Sequence, residues 1–204
     1  MSRRTLGQLG IAAGITGVLS AIVMLAWPVQ SPPGLVRYPF TPAQFYAIQT
    51  WFFIHHLGMA AVLVGLARSD ALGKGRIARG AAWLAVAGAG LLAVMELVTA
   101  ACFGEANLDA ANHGALGAGY GASTNLIGLG MIGAGVATVR VKAWTGWSRW
   151  IPLAIGAFHF AVVTPCVFSG NFVAGRLGIG SWLALFGALG WALVRADRRD
   201  EGQS

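Results

Sequence analysis

The chain has 204 residues, of which 56% are apolar and only 10% charged. Soluble domains carry about 25% charged residues, so this surface is not built for water, and lipid is the solvent for most of the chain. A net charge of +7 raises nucleic acid as a partner, but the basic residues fall in short clusters between apolar runs. No stripe reads phosphates or bases, so no nucleic-acid partner is expected.

A helix crossing roughly 30 Å of hydrocarbon needs about 20 mostly apolar residues. Six stretches qualify: Leu6 to Trp27, Ala43 to Leu66, Ile77 to Phe103, Gly114 to Val139, Trp150 to Phe168 and Ala174 to Val194. Backbone groups in lipid must be satisfied within the element, so these are read as helices. The short alternating segments of a transmembrane barrel are missing. The expected fold is all-α, a single polytopic bundle of six transmembrane helices. The 30 glycines lie inside the apolar runs, where small side chains let helices approach closely.

The first run follows Ser2-Arg3-Arg4, which fits the start of a twin-arginine export signal, but no small-residue cleavage site follows Trp27. It is therefore read as an anchor. The next segment, Pro28 to Pro42, carries prolines at 28, 32, 33, 39 and 42. Each fixes φ and removes a donor, which makes the segment a stiff cover for the outer mouth of the bundle.

Polar residues inside a span are costly and by default face the interior and mark a site. At 1.5 Å per residue, Gln49 and Glu96 lie roughly 10 Å below the outer ends of their helices, and His55, His56, Asn125 and His159 roughly 15 to 20 Å. Gln49 and His56 are two turns apart and share a face, whereas His55 is rotated by about 100°. Of the two, His56 is thus the better candidate for the interior. The expected site is one outward-facing polar cavity: Glu96, His56 and His159 supply proton transfer or ligation, and Gln49 and Asn125 supply hydrogen bonds. For these two amides, simple bonding between helices is the plainer role.

Cys102, Glu105, Asp109 and His113 follow one another at spacings of three, four and four. If that segment were helical, Glu105, Asp109 and His113 would share a stripe able to hold a divalent metal. A solvated turn is the commoner meaning of such spacing. Cys102 and Cys166, the two cysteines, both fall near outer helix ends, where either a disulfide or two free thiols is consistent with the sequence. Arg37 and Arg176 are the two outer cations. They clamp an anionic ligand or pair with Glu105 and Asp109. Trp144, Trp147 and Trp150 crowd the loop before the fifth run, as an interfacial belt does.

Arg3, Arg4, Arg68, Lys74, Arg76, Arg79, Arg140, Lys142, Arg149, Arg195, Arg198 and Arg199 all fall on one side of the six crossings, against Arg37 and Arg176 on the other. Cytoplasmic flanks are enriched in Lys and Arg, which puts both termini in the cytoplasm and the chain in the bacterial cytoplasmic membrane. Trp83-Leu84-Ala85 with Gly88-Ala89 is echoed by Trp182-Leu183-Ala184 with Gly187-Ala188, as two inverted three-helix halves would produce.

These features favour a site for a lipid-like or small hydrophobic molecule, walled by Trp51, Phe52, Phe53, Phe158 and Phe160. The alternatives are haem-mediated electron transfer, with His55 or His56 and His159 as axial ligands, and a small proton-coupled transporter. No span shows the central Gly/Pro break of a transporter helix. Neither haem nor a divalent metal is marked by a specific motif, and no nucleotide-binding motif is present. Gly10-x-x-x-Gly14 and Gly117-x-x-x-Gly121 would serve contacts within the bundle or between copies of the chain.

Overall fold

The computed structural model describes residues 1–107 and 109–201, with side chains as far as Asp197 except at 108. It is all helical. The long elements are α1 (Arg3–Ala26), α2 (Pro42–Ala67), α3 (Arg76–Phe103), α4 (Ala110–Val141), α5 (Ile151–Phe158), α6 (Thr164–Phe168) and α7 (Phe172–Glu201). A five-residue π-helical turn, His159–Val163, joins α5 to α6. These make six helices long and apolar enough to cross a membrane, the fifth running from Gly146 to Phe168.

Local chemistry sets the ends. Ser2 accepts from the Thr5 N–H at 3.1 Å and starts α1. Thr41 and Gln44 form a reciprocal capping box with Pro42 in the first turn of α2, the position where a missing N–H costs nothing. The Asp109 carboxylate accepts from the Asn112 N–H at 2.8 Å and opens α4, four residues ahead of the expected Gly114. Helix α7 runs beyond the expected Val194 to Glu201. The side chains of Arg198 and Arg199 lie outside the described residues.

The crossings pack in chain order around a ring, α1 on α2, α2 on α3, α3 on α4 and α4 on α5, and α7 closes it on α1. Phe186, Met59, Leu63, Ile127, Met131 and Leu189 fill the middle. Ile15, Ile22, Ile54, Val94, Leu97 and Leu129 point outward, an apolar exterior that only a hydrocarbon solvent leaves without cost. The seam between α1 and α7 is the most intimate. A Cβ on Gly14 would lie 2.5 Å from Gly187 Cα and 2.6 Å from its N, so the backbones meet with no side chain between them.

Exchanging α1–α3 with α4–α7 maps this ring onto itself: α1 against α7 corresponds to α4 against α3, and α1 against α2 to α4 against α5. Gly187 meets Gly14 on α1, and its sequence counterpart Gly88 meets the backbone of Ser123 and Ile127 on α4. The echo ends at the tryptophans, since Trp182 is buried and Trp83 exposed.

At one end of the ring the Pro-rich segment is folded back and pinned. The Val36 N–H donates to Ala106 O at 3.1 Å, and the Gln30 N–H to Pro39 O at 2.8 Å. Phe40 is buried with Met24 and Phe45, and Tyr38 meets the edge of Phe172 at the start of α7. We call this the cover end. The opposite end carries Arg3 and Arg195 around one cavity, so the first and last helices share it; this is the basic end.

Candidate functional site

Four helices deliver polar side chains to one place below the cover. Glu96 on α3 is buried, and its Oε2 accepts from the Tyr120 hydroxyl of α4 at 2.8 Å. Its Oε1 stands 3.4 Å from Nδ1 of His56 on α2. The Tyr120 hydroxyl also lies 2.9 Å from Thr99 Oγ1, one turn beyond Glu96. Gln49, two turns before His56, donates from Nε2 to the Glu96 backbone carbonyl at 3.4 Å. From α7 the half-buried Arg176 guanidinium comes within electrostatic reach of Glu96 and Tyr120. The arrangement places an acid, an imidazole, a phenol and a guanidinium in one enclosed cluster, a set able to hold a proton, pass it on, or grip a polar head group.

Residues nominated from the sequence divide here. Gln49, His56 and Glu96 meet as expected. Arg176 turns inward to this cluster and lies over the Phe172 ring at 5.2 Å, whereas Arg37 does pair with Glu105, at 3.4 Å, and helps hold the cover. His55 departs from the helical-wheel expectation. It is buried beside His56, with ring centroids 4.1 Å apart, and among the described residues its ring has no well-formed hydrogen bond, only the Phe52 backbone within reach. Both histidines fall within the buried arc of α2, while Trp51, Ile54 and Leu57 hold its exposed side at the same depth.

His159 does not join the cluster. Its Nε2 lies 3.2 Å from Asn125 Oδ1, its ring is 5.3 Å from that of Trp182 on α7, and it is buried against Gly128 of α4. Among the described residues no hydrogen bond or ion pair connects it to Glu96 or His56. The single cavity expected from depth alone is therefore two polar groups on different sides of α4. Asn125 is exposed on the outer face of α4 and reaches inward only through this contact.

The fifth crossing is also not the continuous helix expected. It widens into the π turn at His159 itself. Pro165 lacks the N–H that a regular turn would direct at Ala161, and the Thr164 hydroxyl donates to His159 O at 3.0 Å. Such bulges often occur at functional positions.

The proposed metal stripe is corrected. Helix α3 stops at Phe103 and α4 starts at Ala110, so Glu105, Asp109 and His113 do not share a helical face. Glu105 pairs with Arg37 and Asp109 caps α4. Among the described residues no three His, Cys, Asp or Glu side chains converge. Cys102 and Cys166 are both free thiols.

Tyr120, Thr99 and Trp182 were not singled out from the sequence. Tyrosine occurs three times, and Tyr120 is the one set deep in a span, ten residues into α4; that depth was a readable signal. Thr99 shares the Glu96 face. Trp182 donates from Nε1 to Ile155 O at 2.9 Å, and nothing in its local sequence distinguishes it from exposed Trp83.

No known protein family, curated protein or solved structure matches the chain.

Proposed function

We propose that the chain is a multi-pass membrane protein whose polar cluster around Glu96 binds or acts on a lipid-like or small hydrophobic molecule. Both termini and the basic end face the cytoplasm, of a bacterium on the simplest reading, and the cover faces outward. The observation that carries the reading is the buried Glu96 carboxyl, held by Tyr120 and facing His56. An acid in hydrocarbon is expensive, and three other helices bring polar groups to it where an apolar residue would have packed more cheaply. Phe172 touches both the cover, through Tyr38, and the cluster, through Arg176. A molecule entering from the outer leaflet would therefore meet the cover and the site together.

The test is what the protein retains. Protein extracted in mild detergent is expected to carry a small apolar molecule, found by solvent extraction and mass spectrometry, and Glu96→Gln is expected to lose it while remaining folded by circular dichroism. Wild type that carries nothing, or a Glu96→Gln variant that carries the same molecule in the same amount, contradicts the reading.

A second reading rests on His55, a buried imidazole with no well-formed hydrogen bond among the described residues and only the Phe52 backbone within reach. An imidazole left in that state is suited to ligate haem iron. Protein from cells supplied with haem precursor would then show a sharp Soret band that His55→Ala abolishes, and colourless protein rules it out.

A further inference from the structure

At the basic end a cavity opens between the start of α1, the turn after α2, the connection from α4 to α5 and the last turns of α7. The charged side chains in its lining are Arg3, Asp70 and Arg195. Asp70 Oδ2 lies 2.9 Å from Arg3 and is itself mostly exposed. Arg195 lies over the Trp191 ring at 5.0 Å, so its position is fixed by stacking rather than by a carboxylate. Among the described residues of the lining, Arg195 thus adds a guanidinium beside the Arg3–Asp70 pair.

Other features act in the same direction. Arg3 is the first residue of a 24-residue helix, whose amino end carries partial positive charge and N–H groups without helical partners. The buried Ser148 hydroxyl adds a donor to the lining. The buried Trp144 ring and Leu193 make the remaining wall apolar. A guanidinium fork matches phosphate oxygens, and an apolar wall beside it matches carbon attached to that phosphate.

We propose that this cavity binds a phosphate group, carried by an acidic phospholipid of the leaflet at the basic end or by a small free anion. The claim is independent of the Glu96 site and needs no activity to be tested. Full-length protein in detergent is titrated with phosphatidylglycerol and, separately, with diacylglycerol of the same acyl chains, which lacks the phosphate, and adducts are counted by native mass spectrometry. Phosphatidylglycerol is expected to be retained about tenfold more tightly, the gain from one charge-assisted hydrogen bond set. Arg195→Gln is expected to remove that preference, and Lys142→Gln, at an exposed residue outside the lining, to leave it intact. Ser148→Ala is the second variant, expected to weaken retention should Arg195→Gln fail to fold.

Inorganic phosphate at constant ionic strength separates the sources. Displacement of the lipid adduct identifies the bare phosphate as sufficient, and persistence of the adduct identifies the lipid head group. Equal retention of the two lipids, an Arg195→Gln variant that behaves as wild type, or an equal loss in Lys142→Gln overturns the proposal.

Discussion

The Tyr120 hydroxyl donates to Glu96 Oε2 at 2.8 Å and so ties α4 to α3 in the interior of the bundle. The same hydroxyl lies 2.9 Å from Thr99 Oγ1, and Glu96 in turn faces His56 on α2 at 3.4 Å. Three crossings are thereby linked through one carboxyl group and one phenol.

Removing the phenol hydroxyl separates stability from function at this point. Tyr120→Phe keeps the ring and deletes the donor, and polar contacts between membrane helices contribute roughly 0.6 to 2 kcal/mol. The variant is expected to be less stable in detergent by that amount, seen as a lower unfolding midpoint, and to retain the small molecule less well. An unchanged unfolding midpoint would show that the bond is not formed in the membrane protein.

The seam between α1 and α7 offers a prediction with an internal control. A Cβ on Gly14 would meet Gly187 Cα at 2.5 Å, and backbone cannot move aside as a side-chain tip can. Gly14→Ala is expected to cost about 1 to 3 kcal/mol, the range for forcing atoms into a filled core. At Gly90 nothing lies within 4 Å of an added Cβ, and Gly90→Ala is expected to be neutral or to stabilise by about 0.4 to 1 kcal/mol, as removing helical glycine does. Denaturant titration in micelles measures both, and equal effects at the two sites would refute the close approach.

How much of this was legible in the sequence follows from which forces act locally. Helix positions were, because roughly 20 apolar residues in a row have one solution in lipid. Thr41-Pro42 and Asp109 mark helix starts by their own side chains. Which polar residues meet was legible only in part. Gln49, His56 and Glu96 share faces that the helical period predicts, but depth could not reveal that α4 stands between Glu96 and His159. Nor could a helical wheel place both His55 and His56 inside, since it does not say how wide the buried arc of α2 is; Ile54 and Leu57 beside them stay exposed. Glu105, Asp109 and His113 were misread because a spacing of four implies one face only when the backbone between them is helical, and residues 104–109 are not.

The two thiols report which side the cover faces. Cys102, near the cover end of α3, is exposed, and Cys166 is less so. With the basic end in the cytoplasm, a membrane-impermeant maleimide added to intact cells is expected to label Cys102, and Cys102→Ser to remove most of the signal. Labelling that appears only after the cells are opened would invert the topology.

The separation of His159 from Glu96 has a consequence for how their losses combine. Residues in one hydrogen-bonded network couple by about 0.5 to 3 kcal/mol, whereas sites that share no partner add to within about 0.5 kcal/mol. Glu96 works through Tyr120 and His56, and His159 through Asn125 and Trp182. In a double-mutant cycle on unfolding, Glu96→Gln and His159→Ala are therefore expected to be additive, while Glu96→Gln and Tyr120→Phe are expected to cost less together than the sum of their separate effects. Because the Gln side chain keeps the size of Glu, the second cycle reads the hydrogen bond rather than a cavity. Coupling of His159 to Glu96 as strong as that of Tyr120 would mean that the two groups form one site after all, joined across α4 by contacts that the native bundle makes in its membrane.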